Sequence, residues 1–287
     1  MNVFRGYDAE ALEKQYNARA SIPDHPQIFQ RWKEESARAR ATSPKARLDL
    51  RFGQNPKETL DFFPADAKNP PLVMLIHGGY WRSLDKSDFS DKVGALVAAG
   101  ASVAVVNYDL CPEVSIGEIM DEMRRAAAWL FHNAADLGVD RTRIQAIGHS
   151  AGGQLAAALL ATDWPTFDAA LPAGMIRTGV LVSGIYELEP LRHVSMHQDL
   201  RLTADQAKAW SPVLTVPPAK VSAAAVWGAL ETDEFRRQTE DLAAAWKKAG
   251  MAISAEAIPD RHHLNVIDEI GRPGSRLVRL SLKLLGL

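Results

Sequence analysis

The chain has 287 residues, of which 47% are hydrophobic and 24% charged, a balance typical of a globular protein with one large core. Its 33 lysines and arginines against 35 aspartates and glutamates give a formal net charge of -2, which excludes a strongly basic surface for nucleic acid or an anionic membrane. The single cysteine, Cys111, cannot form an internal disulfide and indicates a reducing compartment. We therefore predict one domain over residues 1–287 whose partner is a small molecule.

The N-terminal part of the chain is polar and of helical composition. Residues 7–40 carry this pattern with a proline-containing break at 22–26, and we assign 1–45 to an N-terminal helical extension. The first ten residues include two acidic side chains where a secretory signal needs an apolar core, so we expect a cytoplasmic protein. The most apolar stretch, 93–106, is too short and too often interrupted to span a membrane, and no membrane partner is expected.

Downstream, apolar runs of strand type alternate with segments of helix type. A hairpin at 47–52 and 58–63 is followed by predicted strands at 72–76, 102–107, 143–147, 178–183, 223–227 and 252–257, with helices near 86–99, 116–136, 151–162 and 233–248 and terminal helices after His263 and after Pro273. This alternation predicts an α/β fold with a mostly parallel central sheet and helices on both faces. The segment 186–218 is proline-rich and lacks a strand-like run, so we predict a cap-like insertion at the carboxyl edge of the sheet.

A Gly-x-Ser-x-Gly motif at 148–152 stands between a predicted strand and an alanine-rich helix. In that context the serine occupies a tight turn above the sheet, and the neighbouring residues must be small, as Gly148, Ala151 and Gly152 are. The motif predicts Ser150 as the nucleophile of a hydrolase with the α/β-hydrolase fold. The alternative is an incidental serine in a glycine-rich turn, which the further parts of the site disfavour.

The loop after strand 72–76 reads His-Gly-Gly-Tyr-Trp. Loops of this type supply backbone N–H groups to the oxyanion that develops during acyl transfer. We assign this oxyanion hole to the N–H groups of Ala151 and Gly79, together with either Gly78 or Tyr80.

A serine nucleophile needs a histidine base oriented by a carboxylate, here in the chain order serine, acid, histidine. Two acids follow strand 223–227. We favour Glu231 near the loop apex over Asp233, which is placed to cap the next helix. Two histidines follow strand 252–257, and we favour His263 over His262 because an apolar helical run fixes its backbone.

The remaining predictions concern the pocket and possible ligands. Tyr80, Trp81 and His149 are assigned to the substrate pocket, although Trp81 could also be a plain core residue. His193 and His197 have the helical spacing of metal ligands but lack the accompanying glutamate and a third ligand, so we expect no metal and no cofactor. A homodimer is possible on base rates alone.

These motifs together resemble kynurenine formamidase (arylformamidase), of the esterase/lipase branch of α/β-hydrolases whose oxyanion loop reads H-G-G-x-W. The residues that carry the resemblance are 77–81, 148–152, 228–235 and His263, and further similarity at 12–19 and 107–113 extends it over nearly the whole chain. The resemblance implies that Ser150 and His263 are nucleophile and base. The usual aspartate of the family falls on Glu231.

The resemblance also implies a substrate, N-formyl-L-kynurenine, which the family hydrolyses to kynurenine and formate without a cofactor. Many members also cleave small activated esters. A carboxylesterase acting on short-chain or aryl esters is therefore the main alternative, because the same catalytic groups serve both reactions. A non-catalytic binding protein is the remote alternative, disfavoured because serine, acid and histidine are all present.

Overall fold

The computed structural model describes residues 2–287, and its centre is an eight-stranded sheet. The strands are Arg47–Arg51 (β1), Thr59–Phe63 (β2), Leu72–Ile76 (β3), Ser102–Val106 (β4), Ile144–His149 (β5), Ile176–Val182 (β6), Ser222–Gly228 (β7) and Ala252–Ile258 (β8). Their order is β1-β2-β4-β3-β5-β6-β7-β8. β2 pairs antiparallel with β1 and β4, and all other neighbouring strands are parallel. The predicted mostly parallel α/β sheet is confirmed.

The central strands β3, β4 and β5 are buried along their full length. Helices cover both faces, so these strands need no polar alternation and read as continuous apolar runs. The register places Ile76 beside Val106 on one side and Gly148 on the other. The loops that follow β3 and β5 therefore leave the sheet side by side at its carboxyl edge, where ligands bind in open α/β sheets.

Eleven α-helices are found in residues 2–287. They are Ala9–Tyr16 (α1), His25–Ala41 (α2), Gly94–Ala98 (α3), Ile116–His132 (α4), Ala134–Leu137 (α5), Ala151–Leu160 (α6), Trp164–Phe167 (α7), His197–Leu200 (α8), Ala204–Ala209 (α9), Asp233–Lys248 (α10) and Arg276–Leu285 (α11). Short 3-10 helices add Lys86–Asp88, Ser90–Lys92, Glu189–His193, Pro212–Leu214 and Ile267–Gly271. None of these described helices has the length and apolar character needed to cross a membrane.

Two predicted helices are shorter than expected. The segment 86–99 breaks into two 3-10 turns and α3, because Asp85 caps a single turn and Phe89 leaves helical backbone angles with φ −124° and ψ 3°. After His263, only the 3-10 helix Ile267–Gly271 forms. There His262 Nδ1 accepts from the backbone N–H groups of Leu264 and Asn265. The backbone N–H of His262 donates to Asn265 Oδ1 at 2.8 Å. Such local bonds compete with helical ones.

The N-terminal extension folds back onto the carboxyl edge of the sheet. α1 docks on α10, where the Tyr16 hydroxyl donates to Glu234 Oε2 at 2.6 Å. α2 docks on the segment after β8 through Asp268, which accepts from Trp32 Nε1 at 2.8 Å and from Arg31 Nη2 at 2.6 Å. These bonds join residues more than two hundred positions apart and fix both helices over the sheet.

Glu122 of α4 is a buried acid, 1% exposed, whose Oε2 accepts the Asp109 N–H at 2.8 Å. Burial raises its pKa from an ordinary 4.5 to about 7. The unfolded chain therefore loses this proton at lower pH than the folded chain, and the free energy of unfolding falls as the pH rises from about 4.5 to about 7. We expect Glu122→Gln to match the wild type below pH 4.5 and to be about 2 kcal/mol more stable at pH 8.

Urea denaturation at a series of pH values would measure this difference. The exposed Glu240→Gln of α10 is the matched control and is expected to follow the wild-type curve. Parallel curves for wild type and Glu122→Gln across the pH range would contradict the prediction.

Candidate active site

Ser150 occupies the turn between β5 and α6. Its backbone angles, φ 56° and ψ −118°, lie outside the usual regions for a side-chain-bearing residue, and such strain is typical of a nucleophile elbow. The turn is tight enough that a Cβ at Gly148 would lie 1.9 Å from the Gly152 oxygen. A Cβ at Gly152 would lie 2.2 Å from the Ile76 oxygen. Both glycines are therefore required for this close approach of backbone segments.

The structure brings the predicted serine, acid and histidine into one hydrogen-bonded chain. His263 Nε2 lies 3.0 Å from Ser150 Oγ, and His263 Nδ1 lies 2.7 Å from Glu231 Oε2. The network assigns the tautomer in which Nδ1–H donates to Glu231 and Nε2 accepts from the serine hydroxyl. Ser150 is 2% exposed and the Glu231 side chain is fully buried, so solvent screens these contacts little.

Glu231 is held by donors on its other oxygen. Oε1 accepts from the Gly228 N–H at 2.6 Å and from the Ser183 hydroxyl. Ser183 was not predicted from the sequence. The signal that could have found it is its position directly after β6, because β6 pairs with β7, the strand that precedes Glu231. Both oxygens of the buried Glu231 side chain are therefore held by hydrogen bonds.

Within the described residues, the two alternative side chains form no hydrogen bond to Ser150. Asp233 is the first residue of α10 rather than its cap, which is Thr232, and the expected capping role of Asp233 is corrected accordingly. Its side chain is 69% exposed and pairs with Arg236 at 2.9 Å. His262 bonds within its own turn, and partial burial lowers its pKa.

The loop after β3 presents free backbone donors beside Ser150. Gly79, Tyr80 and Trp81 have φ of 107°, 53° and 55°, an unusual run that turns the backbone sharply. Within residues 2–287 the N–H groups of Gly79, Tyr80 and Ala151 donate to no other group. Gly78 packs against the elbow, since a Cβ there would lie 3.1 Å from Ser150 Cβ. Donors of this kind are what an oxyanion hole requires.

His77 and Tyr108 hold this loop in place. His77 Nδ1 contacts the Gly78 oxygen at 2.8 Å and Nε2 contacts Asn107 Oδ1 at 3.1 Å. The ring stacks on Tyr108 at 4.1 Å between centroids, and the Tyr108 hydroxyl donates to the His77 oxygen at 2.9 Å. Burial lowers the pKa of His77 to about 4, so it is neutral at physiological pH.

A cavity of about 30 Å³ meets Ser150 and His263. Its roof comes from the N-terminal extension, through Ala18, Arg19, Phe29 and Trp32. No residue of the predicted insertion 186–218 lines this cavity. The insertion lies beside α1 instead, where the Ser195 N–H donates to Glu13 Oε2 at 2.7 Å.

Of the three residues predicted to line the substrate pocket, two line the cavity and one does not. Tyr80 and His149 line the cavity with Ser150. Trp81 does not, and its assignment to the pocket wall is corrected. Its side chain is completely buried in the core, and its Nε1 donates to Gln154 Oε1 at 3.2 Å, so the indole points behind the loop.

His149 also contacts His263. Its Nε2 donates to the His263 carbonyl at 2.7 Å, and the two rings lie 4.9 Å apart. Burial, with His263 as the second cause, lowers the pKa of His149 well below its ordinary value, so it adds no positive charge beside the base. No group of three or more His, Cys, Asp or Glu in the described part of the chain is arranged to hold a metal ion.

Comparison with known proteins shows related hydrolases. The family model described as BD-FAE matches residues 60–177. A kynurenine formamidase of Danio rerio is 30% identical over 88% of this chain and 86% of its own length. A carboxylesterase of Mycobacterium tuberculosis is 40% identical over 98 residues, 33% of this chain and 30% of its own length. A Silicibacter structure described as a proposed thioesterase is 30% identical, with a TM-score of 0.84 over 94% of this chain and 98% of that one.

Proposed function

Since the chain belongs to the kynurenine formamidase family of α/β-hydrolases, we propose that it is a serine hydrolase that converts N-formyl-L-kynurenine to kynurenine and formate. The observation that carries the proposal is the size of the cavity at Ser150. One water needs at least about 10–15 Å³ of such space, so a cavity of about 30 Å³ suits an acyl unit of two or three heavy atoms. A formyl group is that small, whereas a longer acyl chain would have to displace the roof.

The proposed first step is acylation. His263 Nε2 takes the hydroxyl proton as Ser150 Oγ attacks the formyl carbon, and the carbonyl oxygen becomes an oxyanion. The N–H groups of Ala151 and Gly79, with Tyr80 or Gly78 as the third candidate, stabilise that charge. Protonated His263 then delivers its proton to the anilide nitrogen as the C–N bond breaks and kynurenine leaves. Glu231 stays ionised throughout and stabilises the imidazolium.

Deacylation reverses these roles. A water molecule gives a proton to His263 Nε2 and attacks the formyl-serine ester, and a second oxyanion forms in the same hole. Its collapse breaks the bond to Ser150 Oγ, His263 returns the proton to the serine, and formate leaves. A neutral His149 beside the base favours this cycle, because a second cation there would oppose protonation of His263.

Steady-state kinetics with matched substrates test the proposal. We expect kcat/KM for N-formyl-L-kynurenine to exceed that for phenyl acetate at least about 10-fold, since binding of the larger leaving group adds to transition-state stabilisation. Among phenyl esters we expect formate to be cleaved faster than acetate, and acetate faster than butyrate. A value for N-formyl-L-kynurenine far below that for phenyl acetate would sink the formamidase assignment.

The second candidate function is a carboxylesterase that acts on short-chain or aryl esters. The similarity to the Mycobacterium tuberculosis carboxylesterase favours it, and the same serine, histidine and glutamate would carry it out. The substrate comparison above separates the two, because a carboxylesterase is expected to prefer the esters and to tolerate longer acyl groups.

A further inference from the structure

A second, wider cavity of about 720 Å³ lies beside the catalytic cavity, and Arg19 lines both. Charges of both signs surround it, with cations at Arg19, Lys57 and Arg82 and anions at Asp109, Glu113 and Asp199. Arg82 and Asp199 pair with each other. Among residues 2–287 the other four form no ion pair, so the cleft offers free charges of both signs.

Of the three cations that line the wider cavity, Arg19 alone also lines the cavity at Ser150. It follows α1, donates from Nη2 to the Ser83 hydroxyl at 2.8 Å, and lies over the Phe29 ring at 5.1 Å. These contacts fix the guanidinium yet leave other N–H donors unused, and no carboxylate of the described chain pairs with it. Partial desolvation and the neighbouring Arg82 lower the pKa of Arg19, and a bound anion would offset both effects.

The size of the two cavities requires the leaving group to lie outside the catalytic one. About 30 Å³ at Ser150 admits the acyl unit only, so the rest of a substrate must extend into adjoining space. Arg19 lines both cavities and is therefore placed where a substrate would extend from one into the other. A guanidinium is the side chain best suited to bind a carboxylate, because its planar N–H donors match both oxygens.

We propose that the cleft lined by Arg19, Asp109 and Glu113 binds the zwitterionic head group of an α-amino acid, with the carboxylate of the leaving group on Arg19. The ammonium group would face the free carboxylates of Asp109 and Glu113. This inference rests on the proposed function, since it places the amino-acid part of N-formyl-L-kynurenine. It makes Arg19 a specificity-determining residue for the leaving group.

Three formanilides that differ only in the head group provide the test. N-formyl-L-kynurenine carries carboxylate and ammonium, N-formylkynurenamine lacks the carboxylate, and 2-formamidoacetophenone lacks both. We expect Arg19→Met to lower kcat/KM for N-formyl-L-kynurenine about 10- to 100-fold, mostly through KM, because a charge-assisted bond is lost. For the other two substrates we expect a change of less than about 3-fold. An equal loss for all three would overturn the proposal.

Two further variants separate a specific contact from a general effect of charge. Lys14→Met removes the same charge from the exposed side of α1, outside both cavities, and we expect less than about a 3-fold change for all three substrates. Arg19→Lys keeps the charge without the planar donors and is expected to recover part of the loss. If Lys14→Met reproduces the selective loss, the carboxylate is attracted by the general charge of the N-terminal extension and the assignment to Arg19 is overturned.

An ester pair keeps this test separate from the formamidase assignment. O-acetyl-L-tyrosine carries the amino-acid head group, and 4-methylphenyl acetate lacks it. If N-formyl-L-kynurenine is not hydrolysed, the proposed function fails, but a selective loss of O-acetyl-L-tyrosine cleavage in Arg19→Met still supports the subsite. A uniform loss, or a wild type that cleaves only 4-methylphenyl acetate, overturns it. Unchanged melting temperatures of the variants confirm that the fold is retained.

Discussion

Replacing Ser150 with alanine is expected to lower kcat about 10⁴- to 10⁶-fold and to leave KM within a few-fold of the wild type. The change deletes the hydroxyl that lies 3.0 Å from His263 Nε2, while alanine fits the same turn. Activity that remains would come from the oxyanion donors and substrate binding alone. Initial rates with N-formyl-L-kynurenine and phenyl acetate measure the loss, and a fluorophosphonate probe is expected to label the wild type once per chain and Ser150→Ala not at all.

Ser222→Ala is the matched control for that experiment. Ser222 begins β7 at the amino edge of the sheet, away from the elbow, and we expect neither its rates nor its labelling to differ from the wild type. A Ser150→Ala protein that kept a tenth of the wild-type kcat would show that another group is the nucleophile. Labelling of that variant would lead to the same conclusion.

Glu231→Gln is expected to lower kcat about 10³- to 10⁴-fold, whereas Asp233→Asn should change it less than about 3-fold. The amide of glutamine is neutral and cannot stabilise the His263 imidazolium, and it can favour the wrong tautomer. Asp233 pairs only with Arg236 on an exposed helix turn. Both variants are measured by kcat on the same substrates, with thermal melts to check folding.

Glu231→Asp sharpens this prediction, because it restores the acid that the family usually has. It keeps the charge but shortens the reach to His263 Nδ1, now 2.7 Å from Glu231 Oε2, and we expect it to retain more activity than the glutamine variant. A larger loss in Asp233→Asn than in Glu231→Gln would assign the orienting acid to Asp233 instead.

The succession of strands and helices along the chain and the tight turn at Ser150 are readable in the sequence because they depend on local patterns. The elbow needs small residues at fixed positions beside the serine, and the apolar runs of β3, β4 and β5 have the composition of fully buried strands. The sequence could only favour Glu231 over Asp233, because the exact residue at which α10 begins decides which of the two acids lies in the loop and which lies in the helix. Thr232 takes the cap, and Glu231 turns inward to Gly228.

The roof over the nucleophile could not be predicted in the same way. The composition of residues 1–45 indicates helices, but their position depends on contacts such as Tyr16 with Glu234 and Trp32 with Asp268, separated by 218 and 236 residues. Trp81 was misplaced for a related reason. Three successive residues of its loop, 79–81, have positive φ, and this backbone directs the indole into the core. No local sequence pattern predicts such a backbone.

Residues 2–45 of the N-terminal extension contribute no strand to the sheet, yet four of them line the cavity at Ser150. Trp32 also holds α2 through Asp268, but Ala18, Arg19 and Phe29 form no hydrogen bond to the catalytic side chains, and we expect substitutions at these three positions to keep the strand register and the contact of His263 with Glu231. Gene duplicates can therefore diverge in the compounds they accept while they inherit the hydrolytic chemistry unchanged. For an engineer, the same separation makes Ala18, Arg19 and Phe29 a compact set for a library that seeks new substrates, while Trp32 is kept because it bonds to Asp268.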